Sequence, residues 1–164
     1  MNIHNSQSQI RVLIADDDAD VLDCYREAFL DRESTREMRA LDALSAELFD
    51  VEQSADEAPR FNVTACSQGR DAISLAAKAA SDGEPFDVVI LDVRMPPGID
   101  GVEAGSQIRA MDPNVEIVFV TGFSDIPLAE LQRRVPPPMR LHYFSKPLSF
   151  AQLAQDVVSM VRAN

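Results

Sequence analysis

The sequence contains a run of four apolar residues, Val88–Leu91, that ends in the carboxylate of Asp92. A continuous apolar run of this length is typical of a strand that is buried on both faces of a parallel sheet. Two prolines and two glycines follow within residues 93–101, which indicates a rigid, irregular loop and not the start of a helix. We therefore expect Asp92 to stand where a buried strand opens into a loop.

Similar apolar runs lie on both sides of this one, and the stretches between them have apolar residues at helical spacing. The other four runs are Ile10–Ala15, Phe61–Cys66, Val115–Val120 and Leu141–Phe144. Strands that alternate with helices predict an α/β fold with a doubly wound, five-stranded parallel sheet and right-handed crossovers. Such sheets bind ligands beyond the carboxyl ends of their strands.

One interval is too long for this plan. The stretch from Asp17 to Asp92 exceeds the length of a helix, a strand, a helix and a strand by about 29 residues. Within it, apolar residues recur every three or four positions from Met38 to Val51. This pattern predicts an extra or extended helix after the first helix, in an inserted segment at about 31–60. Its apolar stripe would pack on its own domain, form a homodimer interface or bind a partner.

Composition narrows the class of protein. The 164 residues suit one domain, and 46% hydrophobic with 26% charged residues excludes a wholly disordered chain. The net charge of −12 repels nucleic acid and anionic lipid, and no apolar run approaches the ~20 residues that span a bilayer. Residues 1–9 are a polar tail without signal-peptide order. We expect a cytoplasmic protein with two reduced cysteines, Cys24 and Cys66.

Acidic residues follow the first and third strand-like runs. Asp16, Asp17 and Asp18 come after the first run; Asp18 suits the N-cap of the next helix, which leaves two carboxylates side by side. A lone Asp such as Asp92 is often only a turn residue, but it converges on the pair if the first and third strands are neighbours. Three carboxylates suit Mg²⁺ first and Mn²⁺ second, and the absence of nearby His or Cys argues against zinc.

A hydroxyl group follows the fourth apolar run, and a lysine ammonium lies two residues after the fifth. Thr121 precedes Gly122, and Lys146, one of only two lysines, precedes Pro147. Each has a plain structural reading, because threonine favours strands and lysine commonly lies at the surface. Together with the acidic residues, however, they complete the parts of a phosphoryl-transfer site with a carboxylate nucleophile.

These motifs resemble the receiver domain of two-component response regulators. The matching residues, in chain order, are Asp16-Asp17, Asp92, Met95-Pro96, Asp100-Gly101, Thr121-Gly122, Tyr143 and Lys146-Pro147. The resemblance implies a single receiver domain over residues 10–163 with a flavodoxin-like sheet of strand order 2-1-3-4-5. It also implies a signalling switch and not a turnover enzyme. Only a last helix, 149–162, follows Lys146, so we expect no output domain in this chain.

The resemblance also implies a role for each site residue. Asp92 would accept a phosphoryl group from a phosphohistidine on a sensor histidine kinase or phosphotransfer protein. Asp17, Asp92 and the backbone carbonyl of Arg94 would bind Mg²⁺, and Asp16 would act largely through water.

The remaining roles concern the phosphoryl group and its readout. Lys146 and Thr121 would contact the phosphoryl oxygens. Tyr143 would turn inward with Thr121 as a switch that regulates a downstream effector or a fused output domain outside this chain. The alternative for Tyr143 is an aromatic residue that merely packs on a helix.

The sequence departs from the usual family pattern in two places. Pro97-Gly98 is an insertion that produces a variant Met-Pro-Pro-Gly loop. Arg94 and Phe123 occupy the positions two residues after the nucleophile and after Thr121, beside the route of a hydrolytic water. We expect them to tune the phosphoryl lifetime by obstructing that water.

Two other functions use similar residues. A haloacid-dehalogenase-like phosphohydrolase also uses Asp, Thr, Lys and Mg²⁺, but its nucleophile belongs to the first strand. A phosphate-independent interaction module could use the same scaffold, although the acidic pair and Lys146 argue against it.

Overall fold

The computed structural model describes residues 9–30, 59–122 and 126–163, in which strands and helices alternate. The strands are β1 Gln9–Ala15, β2 Arg60–Cys66, β3 Val88–Asp92, β4 Glu116–Thr121 and β5 Leu141–Ser145. The α-helices are α1 Ala19–Leu30, α2 Gly69–Ser81, α3 Gly101–Met111, α4 Leu128–Arg134 and α5 Phe150–Arg162. A short 3₁₀ helix, Pro138–Arg140, leads into β5. Each predicted strand is present, with its ends displaced by at most one residue.

The five strands form one parallel sheet in the order β2-β1-β3-β4-β5. This is the predicted doubly wound, flavodoxin-like arrangement. In register, Ala15 lies beside Leu91, Asp92 beside Val120, and Thr121 beside Ser145. The carboxyl ends of β1, β3, β4 and β5 therefore meet at one edge of the sheet.

Both faces of the sheet are buried, which explains the continuous apolar runs. On one face, alternate strand residues such as Leu91 and Phe119 pack against α2, α3 and α4. On the other face, residues such as Ile90 and Val118 pack against α1 and α5. Every residue of β3 and β4 is buried, so a polar side chain within these two strands would be driven into one core or the other, and their polar residues stand only at the strand ends.

Helix caps hold the segments that follow the strands. The predicted N-cap of α1 is confirmed, because Asp18 Oδ1 accepts a hydrogen bond from the N–H of Asp20 at 2.9 Å. Asp100 caps α3 by accepting from Glu103 N–H at 2.7 Å, and Ser149 caps α5. The start of each of these helices is thus fixed by a side chain in the loop that follows a strand.

A second polar cluster lies at the amino ends of the strands. The buried guanidinium of Arg109 donates to the backbone carbonyls of Pro113, Val115 and Arg140. The carboxylate of Glu116 accepts from Arg140 at 2.7 Å and lies 2.9 Å from His142 Nε2. These bonds join α3, β4 and β5 at the edge opposite the acidic residues.

Some predictions fall on residues outside the described ranges. They are the polar tail over residues 1–8, the extra helix in the segment 31–58, and Phe123. None of the helices in the described ranges is long and apolar enough to cross a bilayer.

Candidate functional site

The carboxyl edge of the sheet brings together residues that are far apart in the chain. Lys146 Nζ donates to Asp16 Oδ2 at 2.8 Å and to Asp92 Oδ2 at 2.9 Å. Lys146 and Asp16 directly follow β5 and β1, and Asp92 is the last residue of β3, which is the central strand of the sheet. The ammonium therefore joins the two buried carboxylates directly.

Three carboxylates converge at this edge. One oxygen from each of Asp16, Asp17 and Asp92 lies within 4.8 Å of the other two. Asp16 is 1% and Asp92 9% exposed, whereas Asp17 is open to solvent. Oxygens that share one Mg²⁺ at ~2.1 Å lie up to ~4.2 Å apart, so this cluster is close to the size that such an ion requires. The donor chemistry and the spacing both fit Mg²⁺.

Asp16 is tied down at both of its oxygens. Its Oδ1 accepts from Asp18 N–H at 3.0 Å, and its Oδ2 accepts from Lys146. Burial raises the pKa of Asp16 above its ordinary value, and the charge of Asp92 adds to this; the bonds from Lys146 and Asp18 oppose it. The main cause of the raised pKa of Asp16 is therefore its burial between strands and helices.

Asp92, the last residue of β3, is also held at both oxygens. Its Oδ1 accepts from Arg94 N–H at 3.0 Å, and its Oδ2 accepts from Lys146. Gly101 passes so close that a Cβ built there would lie 1.9 Å from the carbonyl oxygen of Asp92. Gly101 N–H also donates to Val93 O at 2.8 Å. The Asp-Gly motif thus lets the chain return beside Asp92 and close the loop.

Lys146 is fixed through its backbone as well as its side chain. Its N–H donates to Thr121 O at 2.9 Å, and the peptide bond to Pro147 is cis. Burial opposes its ionisation, but hydrogen bonds and charges from Asp16 and Asp92 outweigh this and raise the pKa of Lys146. The Lys146 side chain is 23% exposed. Its charged ammonium therefore contacts the carboxylates and is also accessible to solvent.

The other predicted residues surround this centre. Thr121 ends β4 and is 1% exposed. Tyr143 is partly buried on β5 and packs against the core on the α2–α4 face. Arg94 is exposed in the loop after β3, and Phe123 lies outside the described residues. Their proposed roles as phosphate contact, switch and tuning residues stay predictions.

Tyr25 is a neighbour of the site that the sequence pattern does not distinguish from the other apolar residues of its helix. It lies on α1, is 1% exposed, and contacts Phe150 edge to face with ring centroids 4.7 Å apart. Burial and then the charges of Asp16 and Asp92 raise the pKa of Tyr25. Periodicity gave no signal for this, because a tyrosine and a leucine fit the same stripe.

A family model described as the response regulator receiver domain matches residues 46–158. That range contains Asp92, Thr121 and Lys146. It begins after β1, but the strand pairing places β1 in the same sheet as the matched strands, and Asp16 and Asp17 directly follow β1.

Relatives of known description agree with the family. The response regulator receiver protein CpdR of Brucella abortus is 30% identical over 80 residues, which cover 49% of this chain and 63% of CpdR. The sensor kinase CckA of the same species is 28% identical over 101 residues, which cover 62% of this chain and 10% of CckA. The chain thus spans less than two thirds of the length of these curated relatives.

Solved structures show the same fold. A response regulator receiver protein from Sinorhizobium medicae is 25% identical with a TM-score of 0.63, and the match covers 96% of this chain and 98% of that one. The response regulator TrrA of Thermotoga maritima, solved in complex with Mg²⁺-BeF, is 20% identical with a TM-score of 0.56; that match covers 92% of this chain and 98% of TrrA. Since the family model covers more than half of its residues, the chain belongs to the response regulator receiver domain family, the signalling modules of two-component systems.

Proposed function

We propose that this chain is a phosphoacceptor switch of a two-component system or phosphorelay, with Asp92 as the acceptor. The observation that carries the proposal is the ammonium of Lys146, which lies within 2.9 Å of both Asp16 and Asp92 beside a third carboxylate. This arrangement combines a nucleophile with a fixed positive charge and a cation site. The donor would be a phosphohistidine on a sensor histidine kinase or phosphotransfer protein.

The chemistry follows from the positions of these groups. An oxygen of Asp92 attacks the phosphorus, an aspartyl phosphate forms, and the P–N bond to the donor histidine breaks as its imidazole leaves. The Lys146 ammonium, already at the Asp92 carboxylate, balances the charge of the phosphoryl oxygens. Asp17, Asp92 and the Arg94 carbonyl would hold Mg²⁺, with Asp16 acting through water; Mn²⁺ suits the same ligands. When bound, this ion supplies further neutralisation of the transferred charge.

The readout is a population shift. The Thr121 hydroxyl would bond to the phosphoryl group, Tyr143 would follow it inward, and the face that includes β5 would change its affinity for a downstream effector or output domain.

Arg94 and Phe123 would slow hydrolysis by obstructing water, and Pro97-Gly98 would be an insertion relative to other receivers. We place this switch in the cytoplasm; homodimer formation through residues 31–60 stays a prediction.

The test is incubation with acetyl phosphate and Mg²⁺, followed by intact mass measurement. The wild-type chain gains the mass of one phosphoryl group, and Asp92→Asn gains none. Asp100→Asn is the matched control, because Asp100 lies in the same loop and an amide oxygen can still accept from Glu103 N–H. Equal labelling of Asp92→Asn and wild type would show that another residue is the acceptor.

The same preparation separates the two alternatives. Multiple turnover of p-nitrophenyl phosphate would favour the haloacid-dehalogenase-like phosphohydrolase. A folded chain that no phosphodonor labels would favour the phosphate-independent module. The order of the acidic residues, with the pair directly after β1 and the single Asp92 at the end of β3, supports the phosphoacceptor over the phosphohydrolase.

A further inference from the structure

The loop after Asp92 is held at both its base and its far end. At the base, Arg94 N–H donates to Asp92 Oδ1 and Gly101 N–H donates to Val93 O. At the far end, the loop is held by a side chain from a different part of the fold, Gln68, which lies between β2 and α2.

Gln68 binds the loop through both atoms of its carboxamide. Its Nε2 donates to Pro96 O at 3.2 Å, and its Oε1 accepts from Gly98 N–H at 3.2 Å. The fit is close, since a Cβ on Gly98 would lie 2.6 Å from Gln68 Oε1. A Cβ on Gly69 would likewise lie 2.9 Å from Ile99 Cγ1. An added side chain at Gly98 would therefore have to displace the Gln68 carboxamide, and one at Gly69 the Ile99 side chain.

Gln68 occupies a helix position at which other side chains are favoured. It is the N-cap residue of α2, where Ser, Thr, Asp and Asn are favoured because their short side chains accept from the first turn. Gln68 makes no such cap bond. Its carboxamide is directed to the loop instead. The side chain at this N-cap position therefore binds the loop after Asp92 and does not stabilise the first turn of α2.

We propose that Gln68 is a positioning residue for the phosphorylation site, acting by clamping the turn Pro96–Gly98 and thereby fixing Arg94 against Asp92. Only Met95 separates Arg94 from the clamped Pro96, and Met95 is 1% exposed, so the intervening backbone is anchored as well. This inference rests on the proposed function, because it assigns to Gln68 the placement of the Arg94 backbone beside the acceptor and the Mg²⁺ ligands.

Gln68→Ser separates the clamp from the stability of α2. Serine is a favoured N-cap and should keep or raise the melting temperature, but its side chain is too short to reach Pro96 and Gly98. We expect the dissociation constant for Mg²⁺ alone, measured by calorimetry, to rise about tenfold, as is usual when a group that orients metal ligands is removed. Hydrogen exchange of the Gly98 and Arg94 amides should become faster without metal.

Gln68→Glu is the companion variant. It keeps an oxygen for Gly98 N–H but loses the donor to Pro96 O, so Gly98 should stay protected while Arg94 exchanges faster and Mg²⁺ binding falls between wild type and Gln68→Ser. An unchanged Mg²⁺ affinity and unchanged Arg94 exchange in Gln68→Ser would overturn the proposal. A lower melting temperature together with weaker binding would also overturn it, because that result indicates only structural support.

The outcome for Gln68 can be read separately from that for the proposed function. If the wild-type chain neither binds Mg²⁺ nor accepts a phosphoryl group, the proposed function fails, while the exchange of the Arg94 amide still decides whether Gln68 positions it. If wild type does both and Gln68→Ser matches it, only the clamp fails.

Discussion

The fold opposes the ionisation of Asp16, a buried carboxyl group at the centre of the site. It is 1% exposed, and burial raises its pKa above the ordinary value despite the bonds from Lys146 and Asp18 N–H. The folded state therefore holds a proton on Asp16 more tightly than the unfolded state does. The contribution of Asp16 to stability is greatest below its ordinary pKa and is lost as the pH rises through the folded-state pKa.

The raised pKa of Asp16 leads to a prediction for the variant Asp16→Asn. The amide still offers an oxygen to Asp18 N–H and cannot ionise, while Lys146 loses one acceptor but keeps Asp92. Removal of the buried charge should therefore raise the free energy of unfolding at neutral pH. Urea unfolding at neutral and mildly acidic pH measures the effect, and the gain should shrink as the pH falls. The exposed Asp23, paired with Arg26 on the surface, supplies the control Asp23→Asn, which should change little. A destabilised Asp16→Asn at neutral pH would contradict this account.

At the scale of elements, the site depends on how closely the start of α3 passes β3. Gly101 is the first residue of α3, and its N–H donates to Val93 O at 2.8 Å. A side chain there would collide with the backbone of Asp92, and backbone cannot move aside as a flexible side chain does. The helix, the loop and the acceptor are thus one packed unit.

Gly101→Ala should therefore destabilise the chain by about 3 kcal/mol, at the upper end of overpacking effects, and should reduce phosphorylation of Asp92. Gly122→Ala is the matched control for stability, since a Cβ at Gly122 meets no described atom within 4 Å. Thermal unfolding of both variants measures the difference. Equal melting temperatures for the two would show that the loop relaxes around the added methyl group.

For the whole molecule, the sheet and most of the site were predictable because burial on both faces leaves a simple pattern. Asp16, Asp92 and Thr121 directly follow apolar runs and Lys146 comes two residues after one, and the strand order brings those ends together. Arg109 was not predictable, because an arginine in a helix usually faces solvent, and here it binds three carbonyls.

Gln68 was missed for a related reason. Its partners Pro96 and Gly98 lie 28 and 30 residues further along the chain, and no periodicity connects a polar side chain to a loop at that distance. Local patterns predict elements and their ends, whereas contacts between loops depend on how the completed elements pack.

The net charge of −12 matters for a further prediction, because added salt can stabilise the whole molecule either by screening this charge or by binding at the site. If the cluster of Asp16, Asp17 and Asp92 binds Mg²⁺, the folded state gains about 1.4 kcal/mol at tenfold excess over the dissociation constant. Melting in MgCl₂ should then exceed melting in NaCl of equal ionic strength, which controls for screening of the acidic surface. Asp17→Asn should remove most of the difference. Equal stabilisation by both salts would indicate screening alone.

The two hydrogen bonds from Lys146 to Asp16 and Asp92 have a consequence for ion selectivity. With every group ionised, three carboxylates and one ammonium leave an excess of two negative charges in the cleft. A divalent ion balances that excess, while sodium or potassium leaves half of it and a trivalent ion overshoots it. The amine therefore sets the valence that the cleft prefers, and replacing Lys146 with a neutral residue should shift that preference towards trivalent lanthanides.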